Sequence, residues 1–238
     1  MLDHINLENV MVLDIETVPQ YAHHNDVPAD LQKLWEQKTA YQRKETDTTE
    51  SFYERAGIWA EFGKIVCISV GIFHKATASD MQLRIKSFAN DNEVEILKDF
   101  TNLLQKQPQQ LILCAHNGKE FDFPYLCRRM LVQGLTIPVQ LQIAGKKPWE
   151  LNHIDTMELW KFGDYKHYTS LNLLAAIFNI PTPKDDIDGS DVCRVYWEEQ
   201  NLTRISQYCE KDVITTAQVL LKYKGMPSLE ATHITVVS

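Results

Sequence analysis

Asp14 and Glu16 stand two residues apart at the end of an apolar run, Asn9 to Val18 (NVMVLDIETV). In a strand the period-two pleat puts both carboxylates on one face and sends Leu13 and Ile15 to the other. Burying ionised carboxylates is costly unless a counter-charge is supplied. Asp122 opens a predicted helix in AHNGKEFDFPYL, directly after a short strand, where backbone N–H dipoles favour a carboxylate. Tyr208 and Asp212 are four apart on the last long predicted helix and share a face with Ile205, Thr216 and Val219. Taken singly, these residues have ordinary readings: a solvated strand end, a helix-start acid, a buried Tyr–Asp hydrogen bond. Together they make a self-repelling group, because each like-charge pair at about 4 Å and an effective dielectric near 20 costs roughly 4 kcal/mol. Lys119, Arg128, Arg129 and Lys211 are the basic residues near enough in sequence to pair with some of them. Divalent cations neutralise four oxygen ligands more completely, and the ligand type suits Mg²⁺ or Mn²⁺.

The elements that must position these acids follow an α/β order. Asn9 to Val18 reads as a central strand, Lys64 to His74 (KIVCISVGIFH) as a second and Gln82 to Phe88 (QLRIKSF) as a third, more exposed one, together an antiparallel meander. Between the first two, residues 20–62 are polar and helix-prone, a helical insertion in which Tyr53, Trp59 and Phe62 serve as packing anchors. Asp91 and Asn92 are N-cap candidates for a helix carrying Val94, Leu97, Phe100 and Leu104 at helical spacing. Leu111 to Ala115 is a fourth strand, followed by a helix from about Phe121 to Gln133 that Gly134 closes. HIDTMELW gives a short strand end running into a helix, and three further helical segments follow. The tail from Glu230 to Ser238 reads as a loose extra strand or a disordered end. Strands alternating with helices place the acids at the carboxyl ends of strands, where α/β sheets collect ligands.

Composition narrows the function class. The 238 residues carry 24 Lys+Arg against 32 Asp+Glu, a net charge of -8, which argues against nucleic-acid binding through a broad basic face. It leaves room for an acidic nucleic-acid enzyme that works through bound cations. Five cysteines, odd in number and without a CxxC pair, read as reduced core thiols, with neither a zinc cluster nor a redox pair expected. No stretch approaches the roughly 20 apolar residues of a membrane span and no secretory signal opens the chain, so the expectation is a cytoplasmic protein without a membrane partner.

Three ordered strings carry a resemblance: DIET at Asp14 to Thr17, NGKEFD at Asn117 to Asp122, and YCEKD at Tyr208 to Asp212. They resemble the three motifs of the DEDD 3′-to-5′ exonuclease superfamily, and the tyrosine four residues before the last Asp resembles its DEDDy branch. The wider strings LDIETVP, FGKIVCISVG, DDIDGSDV and YCEKDVITT look most like stand-alone bacterial proteins related to the exonuclease domain of B-family DNA polymerases. The resemblance runs from about Val10 to Lys224. It implies a single exonuclease domain over residues 1–238 with a ribonuclease H-like fold: a mixed five-stranded sheet, the second strand antiparallel, flanked by helices. It also implies two bound cations, Mg²⁺ or Mn²⁺. Asp14 would bridge both, Glu16 and Asp212 would complete the first site, Asp122 would hold the second largely through water, and Tyr208 would orient the attacking water. Ions about 3.5 to 4 Å apart suit in-line phosphodiester hydrolysis. Thr17, Asn117 and Phe121 are implied contacts to the terminal nucleotide. The implied substrate is the 3′ end of single-stranded nucleic acid, DNA ahead of RNA, with nucleoside 5′-monophosphates as product.

Other signals weigh less. DDIDGSD at Asp185 to Asp191 fails the EF-hand pattern and reads as a turn leading into a helix. Lys146, Lys147 and Trp149, then Lys161, Phe162, Tyr165, Lys166, His167 and Tyr168, interleave basic and aromatic residues as single-strand grooves do, and are substrate-channel candidates. Three rival functions stay open on the sequence: an exoribonuclease, a small-nucleotide phosphodiesterase, and a catalytically idle binding or polymerase-tethering module on the same fold.

Overall fold

The structure, a computed structural model, describes residues 1–77, 80–147, 150–164, 168–181 and 187–237. Strand β1 (Val10–Pro19) is buried along nearly its whole length, as its apolar run requires. It pairs antiparallel with β2 (Gly63–Thr77), which pairs antiparallel with β3 (Asp80–Ala89). On its other side β1 pairs parallel with β4 (Ile112–Ala115), and β4 with the two-residue β5 (Ile154–Asp155). The order is β5-β4-β1-β2-β3-β6, with β2 antiparallel to the rest. The sheet has six strands where the resemblance implied five. The sixth is the tail itself: β6 (Ile234–Val237) lies parallel to β3, whose outer edge would otherwise offer unpaired backbone groups.

Seven α-helices lie among the described residues: α1 (Ala29–Thr39), α2 (Glu93–Gln105), α3 (Asp122–Val132), α4 (Thr156–Lys161), α5 (Leu171–Ile177), α6 (Val192–Trp197) and α7 (Leu202–Tyr223). The pleat of β1 divides the core between two faces. Met11, Leu13 and Ile15 meet Leu97, Phe100 and Leu104 of α2 and Phe123, Leu126 and Met130 of α3. Val10 and Val12 meet Val213, Ala217, Leu220 and Leu221 of α7. Asn92 caps α2 by accepting from the Val94 N–H. Among the described residues, no helix is long and apolar enough to cross a membrane.

Residues between β1 and β2 form α1 and two 3₁₀ segments, His24–Asp26 and Ser51–Ile58. They enclose a satellite core in which Trp35, fully buried, meets Phe52, Tyr53, Trp59 and Phe62 edge-on or tilted. Tyr53, Trp59 and Phe62 are packing residues there, as their place in the insertion suggested. Gly57 lets this segment rest on β1: a Cβ at that position would sit 3.1 Å from backbone atoms of Thr17 and Val18.

A buried ion pair locks the α2–α3 face. Arg129, 1% exposed, donates from Nε and one terminal nitrogen to the two oxygens of Glu93, at 2.8 and 2.6 Å, and from the other nitrogen to the Ala60 carbonyl. Glu93 also accepts from the Ile65 N–H and from Gln133. This fork joins two helices, β2 and the end of the insertion, so Arg129 is not available to the acids near which it stands in sequence. Lys119 is likewise committed, at 2.6 Å, to Glu158.

Candidate active site

The site forms where parallel strands end. β4 pairs with β1 only from Val10 to Val12, so Asp14 and Glu16 project from the stretch of β1 that runs on past β4. Both point to the α7 side, on the face shared with Val10 and Val12. A bulge between Glu16 and Thr17, opposite the β2 stretch from Ile65 to Cys67, breaks the ladder immediately beside them. Bulges commonly re-aim side chains next to functional sites.

Asp122 arrives from the opposite direction. After Ala115 the chain turns through residues 116–121, with Asn117 in the left-handed region at φ 64°, and starts α3 at Asp122. A side chain at Gly118 would drive into Ala115 and the Phe123 ring, so the turn closes tightly enough only with glycine. The Asp122 carboxylate, 3% exposed, is held by backbone hydrogen bonds from its own helix start and from Ile15 of β1, while its Oδ1 has no hydrogen-bond partner.

Helix α7 brings the remaining groups over the sheet. Asp212 lies close enough to raise the pKa of Asp14, Glu16 and Asp122 by its charge, and the Tyr208 hydroxyl donates to it. The same hydroxyl lies beside Gly189, ahead of α6. Burial first, then the neighbouring acids, push Asp14 and Glu16 well above the ordinary carboxylate range. Burial, with Asp155 and Asp212 adding to it, pushes Asp122 up to about 7. Burial and the adjacent acids also raise Tyr208, keeping its hydroxyl a proton donor at neutral pH. Three raised carboxylates, one with a buried unsatisfied oxygen, describe a pocket in which burial and each neighbouring acid disfavour the ionised forms. Its donors are hard oxygens, so the residues present fit divalent cations.

The substrate-contact candidates divide. Asn117 sits at the turn with its side-chain oxygen buried and without a partner, on the same segment as Asp122. Phe121 immediately precedes α3 and packs on Tyr125 at 5.3 Å between ring centroids. Thr17 is hydrogen-bonded to Tyr125 of α3, whose hydroxyl donates to the Gly57 carbonyl. Phe162 and Tyr168 are strongly exposed, at 77% and 72%. His116 bonds the Thr169 carbonyl at 2.9 Å and so keeps Tyr168 next to the Asn117 turn. Lys161 leans toward Glu120 at 3.8 Å, and Lys146 and Lys147 are exposed. Trp149, Tyr165, Lys166 and His167 lie outside the described residues, as do Asp185 and Asp186. The rest of that acidic string forms a turn, in which Ser190 and its N–H bond Asp188 ahead of α6.

Two residues escaped the sequence reading. Asp155, 2% exposed, accepts from four backbone N–H groups: Asn117 and Lys119 of the turn, Met157 and Glu158 of α4. The only sequence signal was its place between a short strand and a helix, where an acid caps. Cys209 follows Tyr208 in α7 and turns its sulfur onto Asp14, 3.3 Å from Oδ2.

This arrangement, a mixed sheet with one antiparallel strand and carboxylates gathered where β1 runs on past the end of β4, defines a ribonuclease H-like fold. It is similar to the solved structure of the family B DNA polymerase from the archaeon Pyrobaculum calidifontis, with a TM-score of 0.51, 16% identity, and coverage of 90% of this chain and 24% of that one. Residues 58–233 match the family model described as "Predicted 3'-5' exonuclease related to the exonuclease domain of PolB", and the chain belongs to that family. Asp122, Tyr208 and Asp212 fall inside the matched stretch, and Asp14 and Glu16 precede it. Curated relatives include DNA polymerases of Pyrococcus glycovorans, 21% identical over 54% of this chain, and Thermococcus aggregans, 21% identical over 71%. The chain spans 18% and 10% of their respective lengths.

Proposed function

We propose that this protein is a metal-dependent 3′-to-5′ exonuclease that removes nucleotides from the 3′ end of single-stranded DNA as nucleoside 5′-monophosphates, with residues 1–238 acting as one exonuclease unit in the cytoplasm. The observation that carries this reading is the convergence of buried Glu16 and Asp122 with half-buried Asp14 and Asp212, with Tyr208 hydrogen-bonded to Asp212. A module that only binds nucleic acid has no use for mutually repelling acids, since each pair weakens the fold that holds it.

Asp14, Glu16, Asp122 and Asp212 would hold two divalent cations, Mg²⁺ or Mn²⁺. When bound, the cations acidify the attacking water and stabilise the charge on the leaving 3′ oxygen. The protein supplies the orientation. Tyr208 stays protonated and, fixed on Asp212, can position a water beside the cluster. Asp155 holds the turn that delivers Asp122 and places Asn117 and Phe121 where a terminal nucleotide would enter. Exposed Phe162 and Tyr168 offer stacking faces for unpaired bases.

The test is a time course on 5′-labelled single-stranded DNA and RNA of matched sequence, with Mg²⁺, Mn²⁺ or EDTA, beside the Asp14→Ala protein. A metal-dependent ladder descending from the 3′ end, stronger on DNA and absent in the variant, is the expected result. Equal or faster degradation of RNA would replace the DNA assignment. No cleavage of either strand would turn the reading toward a binding module.

A further inference from the structure

The residue that follows Tyr208 adds a different chemistry to the acidic cluster. The Cys209 thiol donates to the Asp14 carbonyl at 3.4 Å and to Asp14 Oδ2 at 3.3 Å. Its sulfur and one oxygen each from Asp14 and Glu16 all lie within 4.8 Å of one another. Cys209 is fully buried and Glu16 is 7% exposed. Asp122, 3% exposed, keeps an unpartnered oxygen and is coupled by charge to Asp14, so a fourth donor borders the same space. We infer that this cluster is also a site for a thiophilic divalent cation such as Zn²⁺, taken by Cys209 together with Asp14 and Glu16, and that its occupation inhibits hydrolysis. The inhibitory part rests on the exonuclease reading; the metal site itself does not.

Ligand softness and distance separate the two kinds of ion at this cluster. Mg²⁺ takes oxygen ligands and has no use for sulfur. Zn²⁺ bonds cysteine sulfur at about 2.3 Å and carboxylate oxygen at about 2.0–2.2 Å, so two such ligands on one tetrahedral ion stand roughly 3.6 Å apart. The Cys209–Asp14 pair at 3.3 Å is already close to that spacing, and Glu16 needs only a small side-chain adjustment. Binding releases the thiol proton to solvent and leaves thiolate on the ion. An ion on Asp14 and Glu16 takes from Mg²⁺ two of the carboxylates that hydrolysis needs, and with Asp122 as its fourth ligand the centre is closed, with no position left for the attacking water. The sequence alone offers no Cys/His spacing for such a site, because its three donors come from strand and helix residues 195 positions apart.

Metal-free wild-type, Cys209→Ser and Cys67→Ser proteins would be titrated with Co²⁺, whose thiolate complexes absorb by charge transfer in the near ultraviolet. Zn²⁺ inhibition of Mg²⁺-dependent hydrolysis would be measured in parallel. The expected result is a thiolate band in the wild type and in Cys67→Ser that Cys209→Ser lacks. The Zn²⁺ inhibition constant of Cys209→Ser should rise roughly 10-fold or more, the scale on which even outer partners of a metal ligand matter. If the serine variant does not fold, Asp14→Asn supplies the second arm: weakened Co²⁺ binding there ties the band to this cluster. A wild type without a thiolate band, a band that survives in Cys209→Ser, or equal Zn²⁺ inhibition of both proteins overturns the inference. A band in a protein that shows no Mg²⁺-dependent hydrolysis would uphold the metal site and sink the exonuclease reading; hydrolysis without a band would do the reverse.

Discussion

The Asn117 backbone N–H donates to Asp155 Oδ1 at 3.0 Å, across 38 residues of sequence. With the Lys119 N–H on the other oxygen, also at 3.0 Å, this bond ties the turn that launches Asp122 to the start of α4. A buried carboxylate that accepts four backbone N–H groups is a positioning device, and removing it strands the donors it satisfied.

Asp155→Ala is therefore expected to cost about 1–3 kcal/mol of stability and to lower kcat more than it raises KM, because Asp122 loses its register with β1. Asp155→Asn, which keeps an acceptor oxygen, should recover part of both. Denaturant midpoints and steady-state kinetics on the two variants test this. Equal kcat in Asp155→Ala and wild type would reduce Asp155 to a helix cap.

Asp14→Ala and Asp212→Ala should lose Mg²⁺-dependent hydrolysis while melting at or above the wild-type temperature without metal. Each removes one partner from a repelling group, and 1 kcal/mol corresponds to about 2–4 °C for a chain of this size. Tyr208→Phe should slow turnover with metal affinity retained. Calorimetry with and without Mg²⁺, beside the gel assay, reads all three; unchanged rates in Tyr208→Phe would make that hydroxyl structural.

Metal-free stability should fall as pH rises. Burial pushes Asp122 up to about 7 from 3.8, so between those values the folded state keeps a proton that the unfolded chain has released. Raising pH through that window disfavours folding by up to a few kcal/mol, the loss levelling off above pH 7. Asp14 and Glu16, shifted in the same direction, add to the slope. Melting curves from pH 5 to 8 should show the decline in EDTA, a shallower one in Asp122→Asn, and a reduced one with Mn²⁺. A flat profile in EDTA would falsify the buried-acid description.

Arg129→Met combined with Glu93→Gln should be better tolerated than Arg129→Ala alone. Alanine leaves Glu93 buried without its cation, a loss of roughly 3–5 kcal/mol, whereas Arg129→Met paired with Glu93→Gln replaces the charges with fitting neutral groups. Urea midpoints of the single and double variants form the cycle that checks it, and a double variant no more stable than Arg129→Ala would contradict this account.

Much of the site was legible in the sequence because its signals are local. The period-two pleat puts Asp14 and Glu16 on one face of β1, the four-residue step puts Tyr208 and Asp212 on one face of α7, and a helix start following a strand places Asp122 at the sheet's edge. The alternation of apolar and polar residues marked the meander, and Asn92 marked a cap. Other features depend on which distant segments meet. The parallel docking of the tail as β6, the Glu93–Arg129 fork, the four-bond role of Asp155 and the thiol of Cys209 against Asp14 each join residues far apart in the chain. Side-chain types and spacing determined that acids would line one edge of an α/β sheet. Only the tertiary structure decided what holds those acids and what else stands beside them, because buried polar groups find their partners through the packing of whole elements rather than through any local pattern.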